Sequence, residues 1–152
     1  MRREQGRISI IKWRGNEEVN KLKVIAIVGA RPQFIKHFPF EKSLSSDIEL
    51  ITIHTGQHYD DYMSKIFFDQ MNMSRPKSML QIGCRGHGAQ TGMMMEEIEK
   101  IVLDEKPDWM VVYGDTNSTL AGALVAAKLH VPIAHIEAGL RSFNKEMPEE
   151  VN

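Results

Sequence analysis

Three short segments set acidic and basic side chains beside glycine at the ends of apolar runs. They are Gly29-Ala30-Arg31-Pro32-Gln33 with Lys36 one helical turn further, Tyr113-Gly114-Asp115-Thr116-Asn117-Ser118, and His135-Ile136-Glu137-Ala138-Gly139-Leu140-Arg141. A carboxylate at a strand end is partly withdrawn from water, so its proton affinity can be retuned for acid or base work. Arg31 and Lys36 are candidates to hold a phosphate or sugar, and Gly29 clears a side chain from a helix start whose N–H groups favour anions. Each feature also has a plainer reading. Asp115 suits a helix N-cap, with Thr116 and Ser118 as alternatives. Arg31 and Lys36 suit solvated cations on an ordinary strand-to-helix turn. Glu137 is harder to assign to structure, because a charge between an apolar strand and Ala138-Gly139 gains little there. Glu149 and Glu150, taken alone, suit a solvated loop.

Other reactive types carry less. His54, His58, His87 and His135 lie near expected strand ends or loops, and no pair has a compact metal spacing. Hydrogen-bonded or core histidine is the simpler assignment for each. Cys84 sits in a glycine-rich loop with no supporting base nearby in sequence, which argues against a nucleophile. Met93-Met94-Met95 suits helix packing. No Walker loop and no G-x-G-x-x-G fingerprint occurs, so neither ATP nor NAD is indicated.

The elements that must position these residues follow from apolar periodicity. Lys23–Gly29 and Trp109–Tyr113 are apolar runs suited to strands buried on both faces. Ile48–His54 and Pro132–Ile136 complete the main strands, and a short one is expected near Met79-Leu80. Helices are expected from Pro32 to about Ser45, from Asp60 or Asp61 to Met71, from Ala89 to Glu105, and from Ser118 to Leu129. Residues 83–92 carry four glycines and predict a loop, and no closing helix is evident near Asn152. Strands alternating with helices imply an α/β fold with a mostly parallel sheet and right-handed crossovers. Ligands then bind beyond the carboxyl ends of the strands, where the three segments lie.

The chain's 152 residues suit one domain. With 42% hydrophobic and 26% charged residues it has ordinary globular composition. A formal net charge of −1 offers no global field for nucleic acid or anionic lipid. No apolar run reaches membrane-spanning length. The single cysteine excludes an intrachain disulfide and fits a reducing, cytoplasmic compartment. Residues 1–22 are expected to form a poorly ordered extension, with a short edge strand from Ile8 to Trp13 as an alternative.

Six segments in order make the sequence specific: residues 29–36, 55–60, 86–92, 113–119, 135–141 and 147–150. The series resembles the non-hydrolysing UDP-N-acetylglucosamine 2-epimerases from about Lys23 to Asn152. The resemblance implies a Rossmann-like N-terminal domain, as in the first half of a GT-B fold, with residues 23–152 forming that domain and the C-terminal domain absent. It implies a UDP-sugar substrate, no NAD and no metal. The reaction it implies eliminates UDP to a 2-acetamidoglucal and adds it back on the other face of C2. By motif match, Asp115, Glu137 and Glu149 resemble the family's acid/base carboxylates. Arg31, Lys36, Gln57, His58 and Arg141 are the substrate-binding candidates.

Three departures qualify this picture. Ala30 and Gln33 replace a threonine and a glutamate of the common motif, in a form closer to a subgroup acting on UDP-2,3-diacetamido sugars, including uronic acids. Asp60 stands where allosterically regulated members carry a second glutamine. The arginine that usually follows Pro-Glu-Glu-x-Asn would lie after Asn152. The resemblance also implies a homodimer or a C-terminal domain as partner, and half a cleft that does not turn over alone. A non-catalytic sugar-nucleotide-binding fragment is the alternative, and Pro32 with its motif argues against the hydrolysing epimerases.

Overall fold

A computed structural model describes residues 21–56, 71–82 and 85–152. The expected helix after Asp60, the strand from Ile8 to Trp13, Gln57, His58 and Cys84 lie outside the described residues. Five strands form one parallel sheet: β1 Leu22–Val28, β2 Ile48–His54, β3 Ser78–Met79, β4 Trp109–Tyr113 and β5 Ile133–Ile136, in the spatial order β3-β2-β1-β4-β5. Four helices are described: α1 Arg31–Ser43, α2 His87–Glu105, α3 Asn117–Lys128 and the single turn α4 Pro148–Val151. This is the expected Rossmann-like arrangement.

The continuous apolar runs are explained by what covers each face. Successive strand residues point to opposite sides of the sheet. Ile25 and Ile27 of β1, Ile51 and Ile53 of β2, and Met110 and Val112 of β4 meet Met94, Ile98 and Val102 of α2 and Ala121, Val125 and Ala126 of α3. The alternate residues Val24, Ala26, Val28, Val111 and Tyr113 meet Phe34 of α1 and Met73 on the other side. Two cores therefore sandwich β1, and polar residues in it would face no water. In register, Leu22–Val28 pair residue by residue with Ile48–His54. Val24–Ala26 pair with Trp109–Val111, and Met110–Tyr113 with Ile133–Ile136.

Helix ends differ from expectation in three places. α2 begins at His87, two residues early, with Gly86 at the N-cap and Gly88 and Gly92 inside the helix. Asn117 reaches that first turn, donating to His87 Nδ1 at 3.1 Å and Gln90 Oε1 at 3.1 Å. Such tertiary contacts offset the roughly 1 kcal/mol that each interior glycine costs. α3 is capped by Thr116, whose Oγ1 accepts from the Thr119 N–H at 3.3 Å, which selects Thr116 among the three capping candidates. α4 was not expected, and Pro148 fits its first turn. Among the described residues no helix is long and apolar enough to cross a membrane.

Candidate active site

The tips of β1, β4 and β5 lie side by side at one rim of the sheet. From β1 the chain passes to α1 on one face, and from β4 to α3 on the other. That divergence between neighbouring strands is the switch point where open α/β sheets form a ligand crevice.

The turn after β1 is shaped by packing. A Cβ on Gly29 would lie 2.1 Å from Ser118 Oγ and 2.2 Å from Thr55 Oγ1, so only glycine fits. Those two hydroxyls bond each other at 2.7 Å beneath it. Arg31 opens α1 and is exposed, while Gln33 in the same turn is only 2% exposed. Its Oε1 accepts the N–H groups of Gly29 at 2.7 Å and Ala30 at 3.0 Å. Its Nε2 donates to the Tyr113 carbonyl at 2.7 Å, with Thr116 Oγ1 at 3.0 Å and Thr119 Oγ1 at 3.2 Å.

Lys36, one turn into α1, forms an ion pair with Glu137 beyond the tip of β5. Both side chains remain about one-third exposed, at 33% and 35%. Glu137 holds a left-handed backbone with φ 62°, which β-carbon crowding disfavours for anything but glycine and a few polar types. Gly114, at the tip of β4, has φ 60° and lies under the Glu137 carboxylate: a Cβ there would sit 3.4 Å from Glu137 Oε2. Its N–H donates to the Ile136 carbonyl at 2.9 Å and its carbonyl accepts from His135 Nε2 at 2.6 Å. These bonds fix Glu137 over the β4 turn, and the second assigns the Nε2–H tautomer to His135.

Asp115 is half-buried, and its carboxylate takes no hydrogen bond from a described residue. Its carbonyl accepts from Asn152 Nδ2 at 2.6 Å, which ties α4, and with it Glu149, to the β4 turn. Arg141, a substrate-binding candidate, is paired with Glu150. Its Nε and Nη2 donate to the two oxygens of Glu150 at 2.9 and 2.8 Å, and the N–H groups of Ser142 and Phe143 donate to Glu150 Oε1 at 3.0 Å each. The Arg141 hydrogen bonds, with those of the two amides, hold the Glu150 carboxyl down at about 2. Glu150 is thus the core of a loop clasp, not a solvated loop residue.

Sequence reasoning passed over two polar residues. Gln33 figured only as a departure from a motif. His37, fully buried on α1, bonds Tyr113 Oη at 2.8 Å through Nδ1 and Thr52 Oγ1 at 3.0 Å through Nε2. Burial pushes His37 down to about 4 and raises the Tyr113 phenol. A glutamine or histidine next to a phenylalanine in a helix is the available signal, but Tyr113, the partner both share, lies far along the chain. Two recesses lined by described residues, one beside Glu41 and Thr52 and one between Val102 and Pro132, include none of the rim residues. No cluster of metal-ligating side chains occurs among the described residues.

Residues 42–152 match the family model described as UDP-N-acetylglucosamine 2-epimerase. The chain belongs to this family. A UDP-N-acetylglucosamine 2-epimerase homolog of Methanococcus maripaludis is 58% identical over 131 residues, 86% of this chain and 37% of that protein. The UDP-2,3-diacetamido-2,3-dideoxy-D-glucuronate 2-epimerase of Pseudomonas aeruginosa is 57% identical, over 86% of this chain and 38% of its own length. Among solved structures, the Methanocaldococcus jannaschii UDP-GlcNAc 2-epimerase in complex with UDP-GlcNAc and UDP superposes with TM-score 0.80 at 54% identity, covering 87% of this chain and 36% of that one. The chain therefore spans little more than a third of the length of these epimerases. Within that third, the epimerase fold sets Lys36, Glu137 and the Asp115 turn on one rim.

Proposed function

We propose that this chain supplies the acid/base rim of a non-hydrolysing UDP-N-acetylglucosamine 2-epimerase. The observation that carries the reading is the Lys36–Glu137 pair across the tips of β1 and β5, with Glu137 held in a left-handed backbone. Strained polar residues of this kind persist where the surrounding structure over-determines them, and they cluster at functional sites.

The chemistry asks for a base and an acid at one carbon. A carboxylate removes the C2 proton while the bond from C1 to the UDP oxygen breaks, leaving a 2-acetamidoglucal and UDP. A protonated group then returns a proton to C2 from the opposite face as UDP re-forms its bond to C1. Glu137, Asp115 and Glu149 are the candidates for those two roles. Arg31 and Lys36 offer charge to the departing diphosphate, and removal of the phosphate's partner charge in the transition state would be costly in a dry cleft. Arg141, which also shapes the loop through Glu150, joins Gln57 and His58 as the remaining substrate-binding candidates. The reading includes a cytoplasmic setting, residues 23–152 as a domain, and either a homodimer or a C-terminal domain to close the cleft.

The test joins the chain to the remaining two-thirds of the Methanococcus maripaludis relative. Incubated with UDP-N-acetylglucosamine in deuterated water, the chimaera is expected to place deuterium at C2, read by proton NMR, and the chain alone is not. A folded chimaera with no C2 exchange would sink the reading. The 57% identity to the Pseudomonas aeruginosa enzyme favours a second substrate class, UDP-2,3-diacetamido sugars. Parallel incubations with both sugars decide between them by relative kcat/KM.

A further inference from the structure

Glu149 and Glu150 are neighbours on α4 but meet different surroundings. The Glu150 side chain is only 8% exposed. Its Oε1 accepts from Arg141 Nε at 2.9 Å and from the N–H groups of Ser142 and Phe143 at 3.0 Å each, and its Oε2 accepts from Arg141 Nη2 at 2.8 Å. All these donors belong to residues 141–143, on the chain that leaves the tip of β5 through Glu137. Bonded in this way, first of all by Arg141, the carboxyl is held down at about 2. It stays an anion near neutral pH and has no proton to give. The Glu149 carboxylate takes no hydrogen bond from a described residue. Successive helix residues leave the axis about 100° apart, so Glu149 does not share the direction that Glu150 takes into the loop.

We propose that Glu150 is a positioning residue whose carboxylate fastens α4 to the chain leaving β5 and so sets Glu149 relative to Glu137. The role rests on the epimerase reading above. The candidate carboxylates lie on separate segments: Asp115 on the β4 turn, Glu137 at the tip of β5 and Glu149 on α4. An acid and a base that serve one carbon need a fixed separation, because a misplacement of about 1 Å costs on the order of 100-fold in rate. Asn152 Nδ2 ties α4 to the β4 turn through the Asp115 carbonyl at 2.6 Å. Glu150 supplies the tie to the β5 side. The residues between make only local turns, with the Asn144 carbonyl accepting from the Met147 N–H at 2.9 Å and Asn144 Oδ1 from the Glu146 N–H at 3.1 Å. A carboxylate suits the position because every group around it donates. An amide there loses the charge and turns N–H groups toward the Arg141 guanidinium.

Two measurements test the tie. In the chimaera, Glu150→Gln is expected to lower C2 exchange about 10- to 100-fold. It should also change the initial ratio of deuterated UDP-N-acetylglucosamine to its deuterated epimer by about threefold or more, because moving one of two carboxylates affects removal and return of the proton unequally. Partial unfolding scales both products alike and leaves that ratio at the wild-type value. A folded Glu150→Gln chimaera with unchanged exchange, or with slower exchange at the wild-type ratio, overturns the positioning role. Should Glu150→Gln fail to fold, Glu150→Asp, a methylene too short to reach Arg141 and both amides together, is judged by the same ratio. In the 152-residue chain alone, the amide proton shifts of Ser142 and Phe143 report on the carboxylate directly. They are expected to stay constant as pH falls from about 7 to about 3.5, past the ordinary glutamate value of about 4.3. Titration of those amides near the ordinary value refutes the tie itself. An inactive unsubstituted chimaera overturns the functional reading and the positioning role with it, whereas the amide titration judges the tie separately.

Discussion

At the scale of single residues, Glu137 sets function against stability. Its left-handed backbone costs on the order of 1 kcal/mol for a side chain with a β-carbon, while an ion pair as exposed as Lys36–Glu137 returns about 0–1 kcal/mol. Gln33 and Glu150 make no such sacrifice, because each is fully engaged by hydrogen bonds. Glu137→Gly is therefore expected to leave the chain as stable as wild type, or up to about 1 kcal/mol more so, in urea denaturation. The same substitution in the chimaera should lower C2 exchange by about 10²- to 10⁴-fold if Glu137 moves the proton. Loss of several kcal/mol with exchange intact would assign Glu137 to structure. Sequence made Glu137 conspicuous because a charge there has no local use. It left Glu150 inconspicuous because its value comes from Arg141 and two amides arranged by the loop. Asp115 and Thr116 are both capping types in adjacent positions, so only geometry separated the cap from the carboxylate left over.

At the scale of elements, the strands were legible and the helix ends less so. β1 and β4 are buried on both faces, and the apolar runs this requires read as strands through their short length, β-branched residues and flanking charge and glycine rather than through periodicity. The start of α2 was obscured by glycine, whose preference for loops is overridden by contacts from Asn117 that sequence does not display. Two predictions belong here. Gly29→Ala forces a methyl into the Ser118 and Thr55 hydroxyls, and overpacking of this kind should destabilise by about 2–3 kcal/mol, measured by urea denaturation. The second concerns α1 on the sheet. His37 is buried and neutral between Tyr113 and Thr52, with its pKa lowered from 6.5 to about 4. The unfolded chain therefore binds the proton first as pH falls. His37's contribution is whole above pH 6.5 and drains away between there and pH 4, on the order of 3 kcal/mol in all. Urea curves at intervals across that window should show it, and His37→Asn should flatten the slope. An unsubstituted protein equally stable at both ends would contradict the buried neutral imidazole.

At the scale of the whole molecule, the sheet is finished unevenly. β3 at one edge has only two residues, whereas β5 at the other has four, with Ile133 36% exposed. After β5 in the chain, Leu140 is 60%, Phe143 84%, Met147 42% and Val151 66% exposed. Among the described residues β5 pairs only with β4, and a strand edge with free N–H and carbonyl groups in a molecule that also exposes large apolar side chains is a template for association. No charge in β5 itself blunts that edge: its residues are Ile133, Ala134, His135 and Ile136. The 152-residue chain is thus expected to self-associate at tens of micromolar protein by sedimentation velocity, in keeping with the millimolar-to-micromolar range in which exposed edges aggregate. Phe143→Glu with Val151→Lys should shift it toward monomer without changing its circular dichroism, because both side chains protrude from the described structure. In the chimaera the association should vanish without any substitution, where the added two-thirds cover the β5 edge and these side chains. A chain that sediments as a monomer at every concentration would mean that the edge and these apolar side chains are closed by some other packing than the one described.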